Sequence, residues 1–456
     1  MSIFFPFIIL FACLFLLKPN KMVTFAVGKQ CNTLLYMQYI ITAPIALKGE
    51  VALPASKSIS NRALIISALA GRHQLPDNLS DCDDTQVTVR ALRDDNEVID
   101  IKAAGTAMRF MTAFLAATDG EHVITGTERM KHRPIAVLVD ALRFIGADIK
   151  YEGEEGFPPL RIKGKKLHGG ELHIKGNVSS QYISALLMIG PTLTGGLELH
   201  LEGDIISRPY IDLTLWMMRE YGADAEWTDI NVISVKPKPY TERKYYIEND
   251  WSAASYWYEM LALNAHQDDE MILTGLKDGS KQGDSIARYL FSLLGVKTTF
   301  IKSDDGSPDR VRIKYSGHSV ARLEYDFINC PDLAQTFVVT CVAKHIPFHF
   351  TGLQTLKIKE TDRINALKAE MRKLGYILED INDSELLWDG SMCEPATANP
   401  LDVAINTYED HRMALAFAPM ACVRNYIRIN DPHVVTKSYP NYWNALVGAG
   451  FEITEE

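Results

Sequence analysis

Cysteine is sparse in this chain and carries no pattern. The seven cysteines (Cys13, Cys31, Cys82, Cys330, Cys341, Cys393 and Cys422) form no CxxC pair, and none stands beside a histidine at metal-ligand spacing. This excludes a disulfide scaffold and a Cys/His zinc module, and it predicts reduced thiols in a cytoplasmic protein. Positive charge is in deficit. Lys and Arg number 47 against 57 Asp and Glu, a net charge of -10, so the basic surface that a nucleic-acid binder needs is missing. No low-complexity linker interrupts the chain, so a domain boundary should be a short crossing rather than a tether. The single long apolar run, Ile3 to Leu17, is too short for a comfortable membrane span. No positive residue precedes it and no small-x-small cleavage site follows, which argues against a signal peptide. With the aperiodic stretch Lys18 to Tyr36, it is expected to be an appendage to the fold, consistent with an upstream start codon; a membrane anchor is the alternative. What remains is ordinary globular composition, 47% hydrophobic and 23% charged, over 456 residues. That length predicts two domains.

A unit recurs. An apolar-periodic helix ends at a glycine, and a short strand follows at once. It is read at Leu138–Ile149, Leu213–Ala225, Ile286–Phe300, Ile364–Leu378 and Tyr442–Ile453. The glycines Gly146, Gly222, Gly295, Gly375 and Gly450 stand roughly 75 residues apart and supply left-handed helix C-caps. Gly-rich turns with alternating strands lie between copies, as at Gly169–Ile174 and Gly195–Leu201.

Polar clusters precede the helices. Leu53-Pro54-Ala55-Ser56-Lys57-Ser58-Ile59-Ser60-Asn61-Arg62 reads as strand, turn and helix start, with the helix apolar from Ala63 to Ala70. Similar starts are Gly105–Arg109, Glu128–Pro134, Asn177–Tyr182, Ser207–Tyr210, Pro331–Thr336, Lys357–Arg363, Asp410–Ala414 and Lys437–Pro440. Eight cations sit in them: Lys57, Arg62, Arg109, Arg133, Lys359, Arg363, Arg412 and Lys437. Cations at helix N-termini oppose the helix dipole. They make sense where helix ends converge on small ligands with several negative charges. Asp332 and Glu360 stand among them as candidates for proton transfer.

Six motifs in this order, Ser56–Ala63, Ala104–Arg109, Ser179-Ser180-Gln181, Pro331-Asp332, Lys359–Arg363 and Asp410–Ala414, resemble the 5-enolpyruvylshikimate-3-phosphate synthase family (3-phosphoshikimate 1-carboxyvinyltransferases) from about Met37 to Phe451. The resemblance implies an α/β fold of two similar domains, each of three βαβαββ repeats in an inside-out α/β barrel. Helix N-termini would face the interdomain cleft. Residues 1–36 would lie outside the fold, 37–55 plus 250–456 would form a discontinuous domain holding both chain ends, and 56–249 an inserted domain. Crossings are expected near Ala55-Ser56 and Glu248-Asn249-Asp250.

The implied reaction moves the enolpyruvyl group of phosphoenolpyruvate to the 5-hydroxyl of shikimate-3-phosphate and releases phosphate, with no metal or organic cofactor. By resemblance Asp332 serves the hydroxyl and Glu360 the methylene, with Lys57 assisting. Lys57, Ser58, Arg62, Ser179, Ser180, Gln181, Ser207, Asp332 and Lys359 would hold shikimate-3-phosphate, with Tyr210 near. Lys57, Gly105, Arg133, Gln181, Arg363, Arg412 and Lys437 would hold phosphoenolpyruvate. Arg109, Asp362 and His411 are expected to support the site rather than touch ligand. The implied partners are these two small molecules, with no nucleic acid, and the implied state is a cytoplasmic monomer. Departures from the family pattern are Ala103 and Thr355 at positions that are often Asn, Trp251 beside a crossing, Glu409 where Asn or Asp is common, and a short loop from Asp94 to Ile99. Two alternatives stand: the related transferase acting on UDP-N-acetylglucosamine, and a non-catalytic paralogue that binds phosphorylated metabolites.

Overall fold

All five predicted C-cap glycines have positive φ: Gly146 (103°), Gly222 (83°), Gly295 (96°), Gly375 (95°) and Gly450 (96°). That left-handed turn reverses the chain from helix into strand at little steric cost. The computed structural model describes residues 37–456 except 72–73, 94–95, 303–308, 398 and 400–401. The expectations for Ile3 to Leu17 and the rest of the first 36 residues lie outside the described residues.

The described residues form a mixed α/β structure with five four-stranded sheets. Each sheet pairs one parallel and two antiparallel neighbours in the same order. In one, Val98–Asp100 runs parallel to Gly120–Thr125, which pairs antiparallel with Leu160–Gly164, which pairs antiparallel with Asp148–Tyr151. Helices Gly105–Ala117 and Ala136–Phe144 connect these strands, so the order is βαβαββ. The sheet around Leu197–Glu202 repeats it. Two sheets join segments far apart in the chain, and one of them takes in both ends of the described residues. Lys48–Ala52 pairs in parallel with Glu270–Thr274, and Gln38–Thr42 lies between Ile427–Asn430 and Glu452–Glu455. Among the described residues, helices Lys57–Leu69 and Asp83–Arg93 have no such sheet, and the segment after the first is tied by the bridge Asp77–Tyr246.

Burial divides the apolar residues into two clusters. One gathers residues from Ala55 to Ile247; the other takes Ile41 to Leu53 together with Trp251 to Phe451. The chain passes between them twice, and the passing segments bond to each other. The Ser56 N–H donates to the Glu248 carbonyl at 2.9 Å and the Asp250 N–H to the Pro54 carbonyl at 2.9 Å. Trp251, read as an oddity beside a crossing, is fully buried at the start of helix Trp251–Asn264, and its indole N–H donates to Glu248. Among the described residues no helix is long and apolar enough to cross a membrane.

Local detail sets where several helices start. The first helix begins at Lys57, inside the polar cluster read as its start, and Ser56 caps it by accepting from the Ile59 N–H. Lys359 and Glu360 lie in a turn before helix Arg363–Lys373, which Asp362 caps. Lys437 ends the 3-10 turn Pro432–Lys437, and the last helix starts only at Tyr442. At the first two a side-chain cap sets where the helical ladder begins, whereas the last helix starts without one.

Candidate active site

A cavity of about 420 Å³ opens between the two apolar clusters, a size suited to small molecules. Its wall carries Lys57, Arg62, Arg109, Arg133, Lys359, Arg363 and Arg412 against Asp84, Asp250, Asp332 and Glu360. Such a surplus of buried cations is costly unless anions arrive to meet it.

One side of the cavity is built on helix N-termini. Lys57 opens its helix, with Nζ 3.4 Å from Asp84. One turn on, Arg62 is buried and spread flat. Its Nε donates to Thr214 Oγ1 at 2.7 Å, Nη1 to the Ser58 carbonyl at 2.9 Å and Nη2 to Ser184 Oγ at 3.2 Å. Burial lowers its pKa to about 10, so it stays charged at neutral pH. Arg62, Arg109 and Arg133 have no carboxylate within 4.0 Å among the described residues. Helix Gly105–Ala117 begins without a side-chain cap, and its first residues, Gly105 and Thr106, line the cavity. A Cβ at Gly105 would stand 2.6 Å from Arg133 Nη1, so glycine is what lets that guanidinium lie against the helix end. Ser179 caps helix Ser180–Ile189, and Gln181 Nε2 donates to Thr106 Oγ1 at 3.1 Å. Ser207 adopts a left-handed conformation (φ 54°), and its N–H donates to the Ile328 carbonyl at 2.9 Å.

The other side is a charge network centred on Arg363. Its Nε donates to Asp410 Oδ2 at 2.7 Å, Nη1 to Asp332 Oδ1 at 3.0 Å and Nη2 to Glu360 Oε2 at 2.8 Å. Arg412 Nη2 donates to Asp332 Oδ2 at 2.9 Å, and Lys359 Nζ lies 3.4 Å from Asp332. Lys437 Nζ lies 3.3 Å from Glu360. Burial alone would raise the Asp332 pKa, but Arg412, Lys359 and Arg363 hold it well below the usual carboxylate range. Lys437, Arg363 and Arg133 overcome burial in the same way at Glu360. Both carboxylates are therefore ionised at neutral pH. His411 is buried with neither ring nitrogen bonded. Burial, together with Lys57 and Arg412, keeps it neutral.

Cations gathered at helix starts around one cavity, and two carboxylates held by shared guanidinium groups, are what a transferase for two anionic substrates requires. The family model for EPSP synthase (3-phosphoshikimate 1-carboxyvinyltransferase) matches residues 41–96 and 93–446. The 3-phosphoshikimate 1-carboxyvinyltransferase of Bacteroides fragilis is 58% identical over 417 residues, covering 91% of this chain and 99% of that protein. The chain belongs to the EPSP synthase family. It has EPSP synthase activity, a transferase step of the shikimate pathway in aromatic amino-acid biosynthesis. The 3-phosphoshikimate 1-carboxyvinyltransferase of Photobacterium profundum is 34% identical over 440 residues, covering 90% of this chain and 98% of that protein. An EPSP synthase structure from Acinetobacter baumannii superposes with a TM-score of 0.71 at 19% identity, covering 92% of this chain and all of that one, and supports the fold.

With the EPSP synthase family established, the site residues read from sequence can be located. Lys57, Ser58, Arg62, Gly105, Arg133, Ser179, Ser180, Gln181, Ser207, Asp332, Lys359, Glu360, Arg363 and Arg412 all line the cavity. Lys437 does not; it stands behind Glu360. Arg109 and His411, expected only to support the site, also line it, whereas Asp362 caps a helix and pairs with Lys357. Sequence reasoning missed Asp84 and Tyr256, which line the cavity, and Asp284, which accepts from the Tyr210 hydroxyl behind it; none sits in a recognised motif. It quoted Asn61 without a role, yet this residue is fully buried in the cavity wall with its amide unbonded. Of the departures, Ala103 is exposed and outside the cavity, whereas Thr355 lines it with its hydroxyl unbonded. Glu409 is exposed and pairs with Arg129 at 3.2 Å. Asp94, in the short loop, lies outside the described residues.

Proposed function

We propose that the cavity holds shikimate-3-phosphate and phosphoenolpyruvate together and joins the 5-hydroxyl of the first to the enol carbon of the second. Ser58, Arg62, Ser179, Ser180, Ser207 and Lys359 grip the shikimate-3-phosphate, with Tyr210 near and Gln181 between the two substrates. Lys57, Gly105, Arg133, Arg363 and Arg412 hold the carboxylate and phosphate of phosphoenolpyruvate, and Lys437 acts on them through its pairing with Glu360. Arg suits planar, bidentate grips on such groups. The hydroxyl oxygen bonds to the enol carbon and gives up its proton to Asp332, while the methylene gains a proton by way of Glu360 and Lys57. The tetrahedral adduct then loses that methyl proton and expels phosphate, restoring the enol ether. No metal or organic cofactor takes part in this scheme.

The observation that carries the reading is Arg363, which donates to both Asp332 and Glu360 and so ties the two carboxylates to one cation. Bound phosphate and carboxylate groups would draw on the cations that now hold Glu360 ionised, raising its pKa towards the protonated form that a methylene donor needs. We read 37–55 plus 250–456 and 56–249 as two similar domains of an inside-out α/β barrel, each of three βαβαββ repeats, with helix N-termini facing the cleft. This is supported by the separate apolar clusters, and it makes the unit around Lys57–Leu69 and Asp83–Arg93 the repeat without a full sheet. The protein would act as a cytoplasmic monomer.

The test follows phosphate release with both substrates and with each omitted in turn. Release should require both and should fall by roughly 100-fold or more in Asp332→Ala and in Glu360→Ala. Release without shikimate-3-phosphate, or full activity in either variant, would overturn the assignment.

A further inference from the structure

Strands Gly170–Lys175 and Leu197–Glu202 run parallel in a register that sets His173 opposite His200, Glu171 opposite Glu198 and Lys175 opposite Glu202. Alternation sends Leu172, Ile174, Leu199 and Leu201 into the core, and puts both histidines and Glu171, Glu198 and Glu202 on the outer face. The two imidazoles stack with centroids 4.5 Å apart and planes within 12°. Glu171 Oε1 lies 2.9 Å from His173 Nε2 and 3.6 Å from His200 Nε2, so both rings turn the same nitrogen to one carboxylate oxygen. Glu198 Oε1 lies 3.0 Å from His200 Nε2, and Glu202 Oε1 lies 3.5 Å from His173 Nδ1. One donor atom from each of Glu171, His173 and His200 falls within 4.8 Å of the others. Bonds of roughly 2.0–2.2 Å in a tetrahedral set place donor atoms roughly 3.3–3.6 Å apart, within reach of small side-chain rotations here.

We propose that this sheet face is a binding site for an imidazole-preferring divalent transition ion such as Zn²⁺ or Ni²⁺. His173 and His200 supply their Nε2 atoms and Glu171 one oxygen; Glu202, beside His173 Nδ1, orients that ring, and the Glu198 carboxylate turns away from His200 Nε2 when the ion binds. A fourth position is left to water. The site lies outside the catalytic cavity and is not needed for the reaction. Its effect is structural: it staples the two strands joined by the helix whose start presents Ser179, Ser180 and Gln181. Sequence reading overlooked it because its residues come from strands about 27 positions apart and match no linear metal motif.

The test titrates chelator-stripped full-length protein with Ni²⁺ by calorimetry at neutral pH, beside His173→Ala, His200→Ala and the double variant. Removing one ligand should weaken binding by roughly tenfold or more, since even outer-shell losses reach that scale. The double variant should lose the site while keeping wild-type transferase activity. Ni²⁺ should also raise the Tm of the wild type and not that of the double variant. No heat of binding in the wild type, or equal binding in the double variant, would overturn the site.

Discussion

Arg363 is the residue on which the anionic half of the cavity depends. It is buried and satisfies Asp410, Asp332 and Glu360 at once. Removing it would leave three carboxylates facing one another with fewer cations, and breaking a buried pair typically costs roughly 3–5 kcal/mol. Arg363→Ala should therefore lower the Tm in thermal unfolding as well as abolish phosphate release. Lys would keep the charge but lose the planar fork, and should recover the Tm in part with little activity. Gly105 acts through a different constraint, room. In Gly105→Ala the new methyl displaces the Arg133 guanidinium but leaves the Arg62 side untouched. The KM for phosphoenolpyruvate should rise about tenfold, near 1.4 kcal/mol, with that for shikimate-3-phosphate nearly unchanged. Equal changes in both constants would refute the separation of the two subsites. These residues were legible in the sequence as cations and a glycine in ordered motifs. That one arginine serves three carboxylates was not, because Asp332, Glu360 and Asp410 come from separate segments.

Helix Trp251–Asn264 shows what an element does when it is buried on nearly every face. Its residues are almost all apolar or aromatic, and Asp250 caps it. Glu259 in its middle is fully buried and neither oxygen is bonded; the nearby Thr340 hydroxyl donates instead to the Thr336 carbonyl at 2.7 Å. Burial raises its pKa well above the usual carboxylate value, so the folded state holds a proton there that the unfolded state releases. The folded pKa of this acid is raised, so its contribution to stability is greatest below the unfolded pKa and declines as pH rises towards the folded one. Glu259→Gln should be more stable than wild type at pH 8, and the gap should narrow towards pH 4. Chemical denaturation across that range measures it. The helix itself was hidden from periodicity, since an element without a polar face has no amphipathic signal.

At the scale of the whole molecule, the two apolar clusters meet through a few polar contacts around the cavity. The Tyr210 hydroxyl donates to Asp284 Oδ1 at 3.1 Å, Thr436 Oγ1 donates to Asp83 Oδ2 at 2.6 Å, and Arg129 pairs with Glu409. Asp284 also accepts from the Ser252 hydroxyl. Burial and the nearby Asp332 raise its pKa to about 6. Ionising it strengthens its acceptance from Tyr210 but places a second negative charge near Asp332. The folded state thus retains a proton between pH 4 and 6 that the unfolded state has lost, and this group's contribution to stability falls as pH rises through that window. Asp284→Asn should flatten that part of the stability profile relative to wild type. A difference between the two proteins that stays constant from pH 4 to 7 would exclude it.

The sequence by itself determined the family, the recurring helix–glycine–strand unit and nearly every charged group of the cavity wall. These follow from local rules: a left-handed turn selects glycine, a helix start selects Ser or Asp, and anionic ligands select arginine and lysine. Only the tertiary structure decided that Gln38–Thr42, near one end of the described chain, completes a sheet begun near the other. The same holds for Lys437 standing behind Glu360, and for two histidines from separate strands sharing a carboxylate. Those outcomes depend on strand register and on which buried charges find partners. Both are set by packing between segments far apart in the chain, and no local pattern encodes them.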